Sequence, residues 1–323
     1  MKIQAILDIE ILVHNIQCLA KLPGDIVKEL TFDVYLLSCK TKNVTYIKSR
    51  SVGINSYFIE RMCGKDATIT KMKSIYIWEL RKFVEQQDAV LIDIHKSFIH
   101  FFDGGVLMSS WVRQVMDIDK PMEDIIKLKN CELNKVYKYS YEVTKDPDAL
   151  KFFYEKMHAP HIKKKFGTVE KFIYFKKFFR DGELLFVKLN GERVSAVMCK
   201  INKDGYYTQN NGVIDESFIK GGALLATYYF SIIRGKEINA KIVDFGLSRP
   251  FLSDGVLRHK NQWGAKICEY KTTKRFIYLK NILFEQPFIF INNGKLKAAM
   301  FSENDKFMKE FAGSGLEFDI MQR

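Results

Sequence analysis

Two charged side chains in the second half of the sequence are placed to do chemistry. Asp244 lies in the short apolar run 241–245, which is typical of a buried strand, so its carboxylate could orient an amine or accept its proton. Lys260 follows and could neutralise a phosphate, or the oxyanion that forms when an amine attacks an ester or thioester. A buried carboxylate needs a partner, and Arg249 is the predicted one. The competing interpretations are an Asp that caps its loop and an exposed surface lysine.

A pair of glycines precedes a largely apolar helix. Gly221 and Gly222 lead into Ala223 and a predicted helix that runs to about residue 233. Glycine has no Cβ and a helix start carries partial positive charge, so main-chain N–H groups here could approach a phosphate closely. These three residues are the predicted cofactor-binding segment. An ordinary turn from loop to helix is the alternative.

Polar side chains alternate along one predicted strand, 206–213. Tyr207, Gln209 and Asn211 are spaced two residues apart, which predicts that they lie on one face of the strand. Polar side chains are unusual on a strand that is covered on both faces, so these three are predicted to line a substrate cleft. A strand that faces solvent would carry the same pattern.

The elements around these residues alternate between strand and helix periodicity. A strand at 136–143 runs into a helix that begins at Asp146-Pro147, an N-cap followed by a first-turn proline. A second helix at 169–179 precedes a hairpin whose turn is Asn190-Gly191. The predicted order is β-α-α-β-β-β-α-β, followed by another helix and further strands. This order predicts an α/β fold built on a mixed sheet.

Basic and aromatic residues are mixed in the segment 156–180, which holds eight Lys and Arg against one acidic residue, Glu170. Such a surface could hold the phosphates of a cofactor, a tRNA backbone or a layer of lipid headgroups. The alternative is that the aromatic residues form the buried faces of two helices and the cationic residues lie on their solvent-facing sides. His95, His100, His158 and His161 lack an accompanying carboxylate pattern, so no metal site is predicted.

The composition is that of a globular protein with excess positive charge. Of the 323 residues, 47% are hydrophobic and 28% charged, which allows a sizeable core, and the length suits two domains. The net charge of +13 fits an anionic partner, and it equally fits a lysine-rich surface that only aids solubility.

Cysteine spacing and the N-terminal residues bear on cellular location. The six cysteines contain no Cys-x-x-Cys pair and are predicted to be reduced thiols. Residues 1–20 lack the basic start and uninterrupted apolar stretch of a signal peptide, and no window reaches the roughly 18 apolar residues of a membrane span. We therefore expect a cytoplasmic protein without a transmembrane segment. Peripheral membrane contact and the oligomeric state are left open.

One stretch of the first half resembles the second half. The helical pattern 77–86 runs into the strand 90–94, much as the helix 223–234 runs into 242–245, and both strands carry an Asp. This similarity predicts a degenerate internal duplication. The predicted domains are an N-terminal lobe (1–130) that includes a helix bridging to a second lobe (131–285), and a C-terminal extension (286–323).

Short motifs surround the candidate residues. Asp244-Phe245-Gly246-Leu247-Ser248-Arg249-Pro250 is followed by His259-Lys260-Asn261-Gln262-Trp263-Gly264, and Phe153-Tyr154, Pro160 and Lys165-Phe166-Gly167 lie upstream. These motifs span about 133–278 and agree in order with the elements predicted above. They resemble the Fem-like, two-lobed branch of the GNAT superfamily of acyltransferases.

The resemblance implies tandem GNAT-like lobes, the first degenerate and the second catalytic. It implies an N-acyltransferase that moves an acyl group from acyl-CoA to an amine, such as an amino sugar or amino acid in cell-surface or polysaccharide metabolism. In this pattern Lys260 matches the lysine that neutralises donor or oxyanion charge. Phe218 stands where GNAT enzymes carry a Gln or Arg before the helix. Two alternatives therefore stay open: an aminoacyl-tRNA donor, and a non-catalytic protein that binds RNA or a protein partner.

Overall fold

A computed structural model divides the chain into two compact units. Unit 1 comprises 1–110, 271–305 and 317–323, and unit 2 comprises 111–270 and 306–316. The predicted lobes were contiguous, whereas each unit is assembled from separated segments. The structure describes residues 30–39, 43–102, 104–128, 133–166, 169–203, 205–269, 275–281, 284, 286–302 and 305–321. The N-terminal segment 1–20, Cys18, Cys131 and Gly167 lie outside these residues.

Sixteen strands are formed by the described residues. In chain order they are β1 (Thr31–Ser38), β2 (Asn43–Ser49), β3 (Thr68–Tyr76), β4 (Val90–His95), β5 (Val106–Ser109), β6 (Val112–Asp117), β7 (Tyr139–Thr144), β8 (Gly182–Leu189), β9 (Glu192–Asn202), β10 (Gly205–Val213), β11 (Ile242–Ser248), β12 (Lys266–Glu269), β13 (Arg275–Lys280), β14 (Phe288–Asn292), β15 (Lys295–Met300) and β16 (Glu317–Ile320).

Helices of the described segments join and cover these strands. In chain order they are α1 (Ser56–Cys63), α2 (Ile77–Glu85), α3 (Met122–Leu128), α4 (Pro147–Phe152), α5 (Ala159–Phe166), α6 (Phe172–Phe179), α7 (Ser217–Lys220), α8 (Ala223–Glu237), α9 (Gly255–Gln262) and α10 (Lys306–Glu310). A 3₁₀ segment (Lys96–Phe101) follows β4, and a π-helical turn (Phe153–His158) joins α4 to α5.

Unit 1 is built on a nine-stranded mixed sheet in the order β16-β15-β14-β5-β13-β4-β2-β1-β3. Strands β2 and β4 run parallel, and β13 pairs antiparallel with both β4 and β5. Alternate apolar side chains of these strands pack with helix α2 in one core, which includes Phe32, Ile47 and Ile92 from the sheet and Leu80 from the helix.

Unit 2 is built on a seven-stranded mixed sheet in the order β12-β6-β11-β10-β9-β8-β7. One face packs against α8 in a core that includes Leu185, Val197 and Ala226. The opposite face packs against α4, the π-helical turn and α6, in a second core that includes Leu184 and Phe175. Two mixed sheets and surface helices confirm the predicted α/β class.

In unit 2, the local sequence signals for a helix start and a hairpin turn lie where the structure has these features. Asp146 caps α4, since its side chain accepts a hydrogen bond from the Asp148 N–H and Pro147 occupies the first turn. Asn190 and Gly191 take φ values of 53° and 87° between β8 and β9, the left-handed backbone of a two-residue hairpin turn. The order β-α-α-β-β-β-α-β is confirmed from β7 to β11, with α5 and α7 as additional short helices.

The two units share one arrangement of strands, as the sequence similarity predicted. Helix α2 precedes β4, which is parallel to β2, and helix α8 precedes β11, which is parallel to β10. Asp93 and Asp244 belong to the last residue pair of their respective parallel ladders. Strand β13 flanks β4, and β6 flanks β11 in the corresponding position.

The prediction that all cysteines are reduced is wrong for Cys39 and Cys63, which form a disulfide. Their Cα atoms lie 4.8 Å apart because the end of β1 meets the end of α1, a proximity that the spacing of 24 residues does not reveal. Cys199 and Cys268 are reduced thiols. Over the described segments, no helix combines the length and apolar character needed to cross a bilayer.

Candidate active site

The central feature of unit 2 is a cavity that opens where two parallel strands separate. Strands β10 and β11 pair over three residues only, Gly205–Tyr207 against Ile242–Asp244. Beyond that point residues 208–211 of β10 and 245–247 of β11 line a cavity of about 650 Å³. This volume lies in the range of small-molecule sites. The ends of parallel strands are a place where main-chain polar groups are available to a ligand.

A bulge in β10 changes the face of the sheet on which the following side chains lie. Gln209 pairs with Met198 of β9 and Asn211 with Val197, so Asn210 is an extra residue, and its φ is 55°. Because Met198 and Val197 belong to the cores on opposite faces, Gln209 and Asn211 also lie on opposite faces. The prediction that Tyr207, Gln209 and Asn211 share a face is therefore wrong for Asn211, although all three line the cavity.

Strand β11 is irregular at the same level. Asp244 pairs with Val115 of β6 and Leu247 with Arg113, so two residues of β11 lie opposite one residue of β6. Gly246 takes a φ of 74°, and its N–H donates to Asp244 Oδ1 at 2.7 Å. A Cβ at this glycine would lie 3.0 Å from the Thr208 carbonyl oxygen. Glycine thus allows β10 and β11 to approach closely at the start of the cavity.

The Asp244 carboxylate is buried and paired with Arg113. Its side chain is 2% exposed, and the Arg113 guanidinium of β6 forms an ion pair with Oδ2. Burial raises the pKa of Asp244, against the opposing effects of the Gly246 N–H, Arg113 and Lys260. The hydrogen bond from Gly246 agrees with the loop-capping role that the sequence left open, and it also holds the carboxylate at the cavity wall.

The predicted partner of Asp244, Arg249, has a different contact. Its guanidinium lies over the Trp111 ring, 3.8 Å from the centroid, in a cation–π arrangement. Trp111 lines the cavity, so Arg249 supports the wall through this ring. The sequence could not separate the two arginines, because the ion pair depends on β6 lying beside β11.

Helix α9 places Lys260 at the cavity. The Asp254 side chain accepts hydrogen bonds from the Val256 and Leu257 N–H groups and so caps the helix. The buried Gln114 amide of β6 donates to the Leu257 carbonyl at 3.0 Å. With the helix fixed at this end, Lys260 Nζ donates to the Leu247 carbonyl at 2.8 Å.

Lys260 is not the exposed surface lysine of the competing interpretation. The residue is 3% exposed and lines the cavity together with Asp244 and Leu247. Burial lowers the pKa of the Lys260 ammonium to about 7, against the opposing attraction of Asp244 and Asp254. Both protonation states of this amine are therefore populated near neutral pH.

The glycine pair lies in the turn between α7 and α8. The Gly221 N–H donates to the Ser217 carbonyl, and the Gly222 N–H donates to the Ile219 carbonyl. Gly222 has a φ of 95°, and a Cβ there would lie 2.9 Å from Lys135 Cβ. These contacts use two of the N–H groups that were predicted to meet a phosphate. The glycine pair does not line the cavity, whereas Ala223 begins the helix and is buried.

The bulged segment of β10 is held from both faces of the sheet. The side chains of Asn211 and Tyr228 of α8 are hydrogen-bonded, and burial raises the pKa of Tyr228. On the other face, His158 Nδ1 lies 2.8 Å from the Asn211 carbonyl oxygen, and burial lowers the pKa of His158. A neutral imidazole that carries its proton on Nδ1 makes this hydrogen bond.

Helix α6 of the basic and aromatic segment has one buried and one exposed side. Phe175 and Phe179 of α6 are buried in the second core, as the structural alternative predicts. Ile173 and Tyr174 of the same helix are exposed, at 62% and 60%. Lys176 lies over the Phe172 ring, 5.3 Å from the centroid. The helix therefore presents apolar and cationic groups together on its outer side.

The structure brings five of the nine predicted residues to one cavity: Tyr207, Gln209, Asn211, Asp244 and Lys260. Three of the other residues that line the cavity contact a predicted site residue and were missed by sequence reasoning. These are Arg113 and Trp111, which precede the predicted second lobe, and Tyr228 of the apolar helix. Strand register alone brings Arg113 to Asp244, so no local sequence signal could have identified it.

Comparisons with known proteins give likenesses of fold at low identity. No protein-family model and no curated protein matches the chain. The crystal structure of FemX is similar, with 14% identity, a TM-score of 0.43, and coverage of 77% of this chain and 84% of that chain.

Two other similar structures are more distant. For L-PGS from Bacillus licheniformis the identity is 11% and the TM-score 0.37, over 77% of this chain and 80% of that chain. For a GCN5-related N-acetyltransferase from Kribbella flavida the identity is 12% and the TM-score 0.32, over 73% and 80%. At these levels of similarity, the function of unit 2 has to be inferred from its own geometry.

Proposed function

We propose that unit 2 is a GNAT-like acyltransferase that moves an acyl group to an amine in the cavity between β10 and β11. One observation supports this most directly: the parallel strands part after Tyr207 and Asp244, and the Lys260 amine lies at the opening. The gap between the strands exposes main-chain groups to an extended donor. Both strands carry a bulge beside this opening.

The reaction needs a bound acyl carbonyl and an amine held beside it. Holding both reactants in a reactive geometry supplies a large part of the rate acceleration in such transfers. The bulge at Asn210 interrupts the pairing of β10 with β9, and β11 has already parted from β10 on the other side. Main-chain N–H groups of this segment are suited to stabilise a carbonyl oxygen as it gains negative charge.

Acyl-CoA is the first candidate donor, and the acceptor is a small-molecule amine such as an amino sugar or amino acid. An aminoacyl-tRNA donor is the second candidate, and one observation favours it. The N–H groups of Gly221 and Gly222 donate to α7 carbonyls. This turn therefore has fewer N–H groups available to bind a CoA pyrophosphate than its sequence suggests. The cationic outer side of α6 suits an RNA backbone.

A ligand screen on the full chain tests the proposal. A donor that binds the native state raises the unfolding temperature by mass action. We expect either acetyl-CoA and related thioesters or an aminoacyl-tRNA to stabilise the wild-type protein and to be turned over with an amine. Mass spectrometry of co-purified small molecules identifies the donor independently. Binding of neither donor, with no transfer, would contradict the proposed function and favour a non-catalytic binding protein.

A further inference from the structure

The Lys260 amine is held in an unusual way for a cation. Its Nζ is buried, and the group that accepts its hydrogen bond is the neutral Leu247 carbonyl at 2.8 Å. A neutral amine can make this bond with one N–H and still present its lone pair. The hydrogen bond therefore does not require the ammonium form.

Two carboxylates near Lys260 favour its ammonium form. Asp244 of β11 attracts the Lys260 ammonium more strongly than Asp254 does, and its carboxylate is already engaged by Arg113 of β6 and by the Gly246 N–H. Asp254, at the start of α9, attracts the ammonium from further along the helix. The cavity also contains Lys200 and Glu170, of opposite charge. His259 is adjacent on α9 and packs against Tyr228.

Burial decides the balance between these effects. An ammonium removed from water loses solvation that a neutral carbonyl and an already paired carboxylate replace only in part. The pKa of Lys260 is accordingly lowered to about 7. A group with a pKa near the working pH is well matched to accept and release a proton.

We propose that Lys260 is the general base of the transfer, taking the proton from the incoming ammonium of the acceptor rather than serving as a fixed cation. This role rests on the proposed function. Neutral Nζ accepts one proton from the acceptor R–NH₃⁺, which gives R–NH₂. The amine nitrogen then forms a bond to the acyl carbon, and the carbonyl electron pair moves to oxygen.

Collapse of the tetrahedral intermediate completes the step. The oxygen electron pair re-forms the carbonyl, and the bond to the leaving sulfur or oxygen breaks. The second nitrogen proton passes to the leaving atom, which departs as a thiol or a hydroxyl. The proton on Lys260 returns to solvent. The products are the amide, the leaving group and one released proton, so no further reactant is required.

Substitution by arginine separates a base from a fixed cation, because arginine keeps the charge and does not lose its proton. We expect Lys260→Arg and Lys260→Met to lower kcat by a similar factor, on the order of 100-fold or more. The wild-type kcat should rise as the pH passes through about 7, the value set by the Lys260 pKa. Lys266→Arg, at an exposed position on β12, is the matched control and should keep the wild-type rate and pH profile.

The outcomes distinguish this role from the function on which it rests. A Lys260→Arg enzyme within threefold of wild type would leave the transferase intact and overturn the role of base. A wild-type profile that is flat between pH 6 and 8 would do the same. Absence of transfer from both acyl-CoA and aminoacyl-tRNA would overturn the proposed function, and the role of Lys260 with it.

Discussion

The buried Asp244 carboxylate forms an ion pair with the partly exposed Arg113 across the ladder between β11 and β6, at the wall of the cavity. The pair has a counterpart in unit 1, where Arg275 Nε lies 2.7 Å from Asp93 Oδ1. In each case the arginine lies two residues before the residue that pairs with the aspartate, Val115 in one ladder and Ile277 in the other. The shared geometry supports an internal duplication better than sequence pattern alone.

Removing Arg113 is expected to destabilise the fold. Arg113→Ala leaves the Asp244 carboxylate buried without its cation, which should lower the free energy of unfolding by about 3 kcal/mol. Urea denaturation at pH 7 measures this loss. The double variant Arg113→Ala with Asp244→Asn should recover much of it, because no unpaired charge remains. A loss below about 1 kcal/mol in the single variant would show that the pair contributes little.

The bulge at Asn210 should matter for ligand binding beyond its effect on stability. Asn210→Val places a β-branched residue at a φ of 55°, which costs on the order of 1–2 kcal/mol. Asn190→Val is the matched control, since Asn190 has a φ of 53° in the hairpin turn away from the cavity. We expect similar losses in urea denaturation, with donor binding lost only in Asn210→Val. Equal donor binding by the two variants would contradict a role for the bulge.

Gly222 should contribute to stability mainly by allowing close packing against Lys135. Gly222→Ala combines a φ of 95° with a Cβ that would lie 2.9 Å from Lys135 Cβ. Gly191→Ala has a φ of 87° and meets no atom within 4 Å, so it isolates the backbone cost. We expect Gly222→Ala to lower the free energy of unfolding by at least about 1 kcal/mol more than Gly191→Ala. Equal stability of the two variants, with donor binding lost only in Gly222→Ala, would instead favour phosphate binding.

Stability should depend on pH through Lys260. In the unfolded chain this lysine holds its proton up to its ordinary pKa of 10.5, whereas in the fold the pKa is about 7. Between these values the unfolded state binds more protons, so the free energy of unfolding rises with pH, by at most about 1.4 kcal/mol per unit. The wild type should therefore gain stability relative to Lys260→Met from pH 7 to 9.5. A constant difference between them over this range would mean that the lysine keeps its ordinary pKa.

Local signals predicted much of unit 2. The cap at Asp146, the turn at Asn190-Gly191 and the helix after Gly222 each depend on residues within one turn of chain, and each was found where expected. Lys260 and Asp244 were also brought to one cavity, because the strand and helix that carry them are consecutive.

Features that depend on register could not be predicted in this way. The bulge at Asn210 moves Asn211 to the other face, and a single inserted residue leaves no trace in an alternating pattern. Arg113 reaches Asp244 only because β6 joins the sheet of unit 2, and Cys39 reaches Cys63 only because β1 ends beside α1. The buried state of Lys260 depends on Gln114 and Asp254, which fix α9.

Strand β6 follows β5 in the chain but belongs to the sheet of unit 2, and β13 follows β12 but belongs to the sheet of unit 1. This arrangement affects how the sheets form during synthesis of the chain. Strand β13 lies between β4 and β5, so the nine-stranded sheet lacks an internal strand until residue 280 has left the ribosome. Strand β6, by contrast, is synthesised before the other strands of its sheet. It can pair only after β11 and β12 have been synthesised. Nascent chains that stop before β13 would expose the unpaired edges of β4 and β5, and unpaired strand edges promote aggregation.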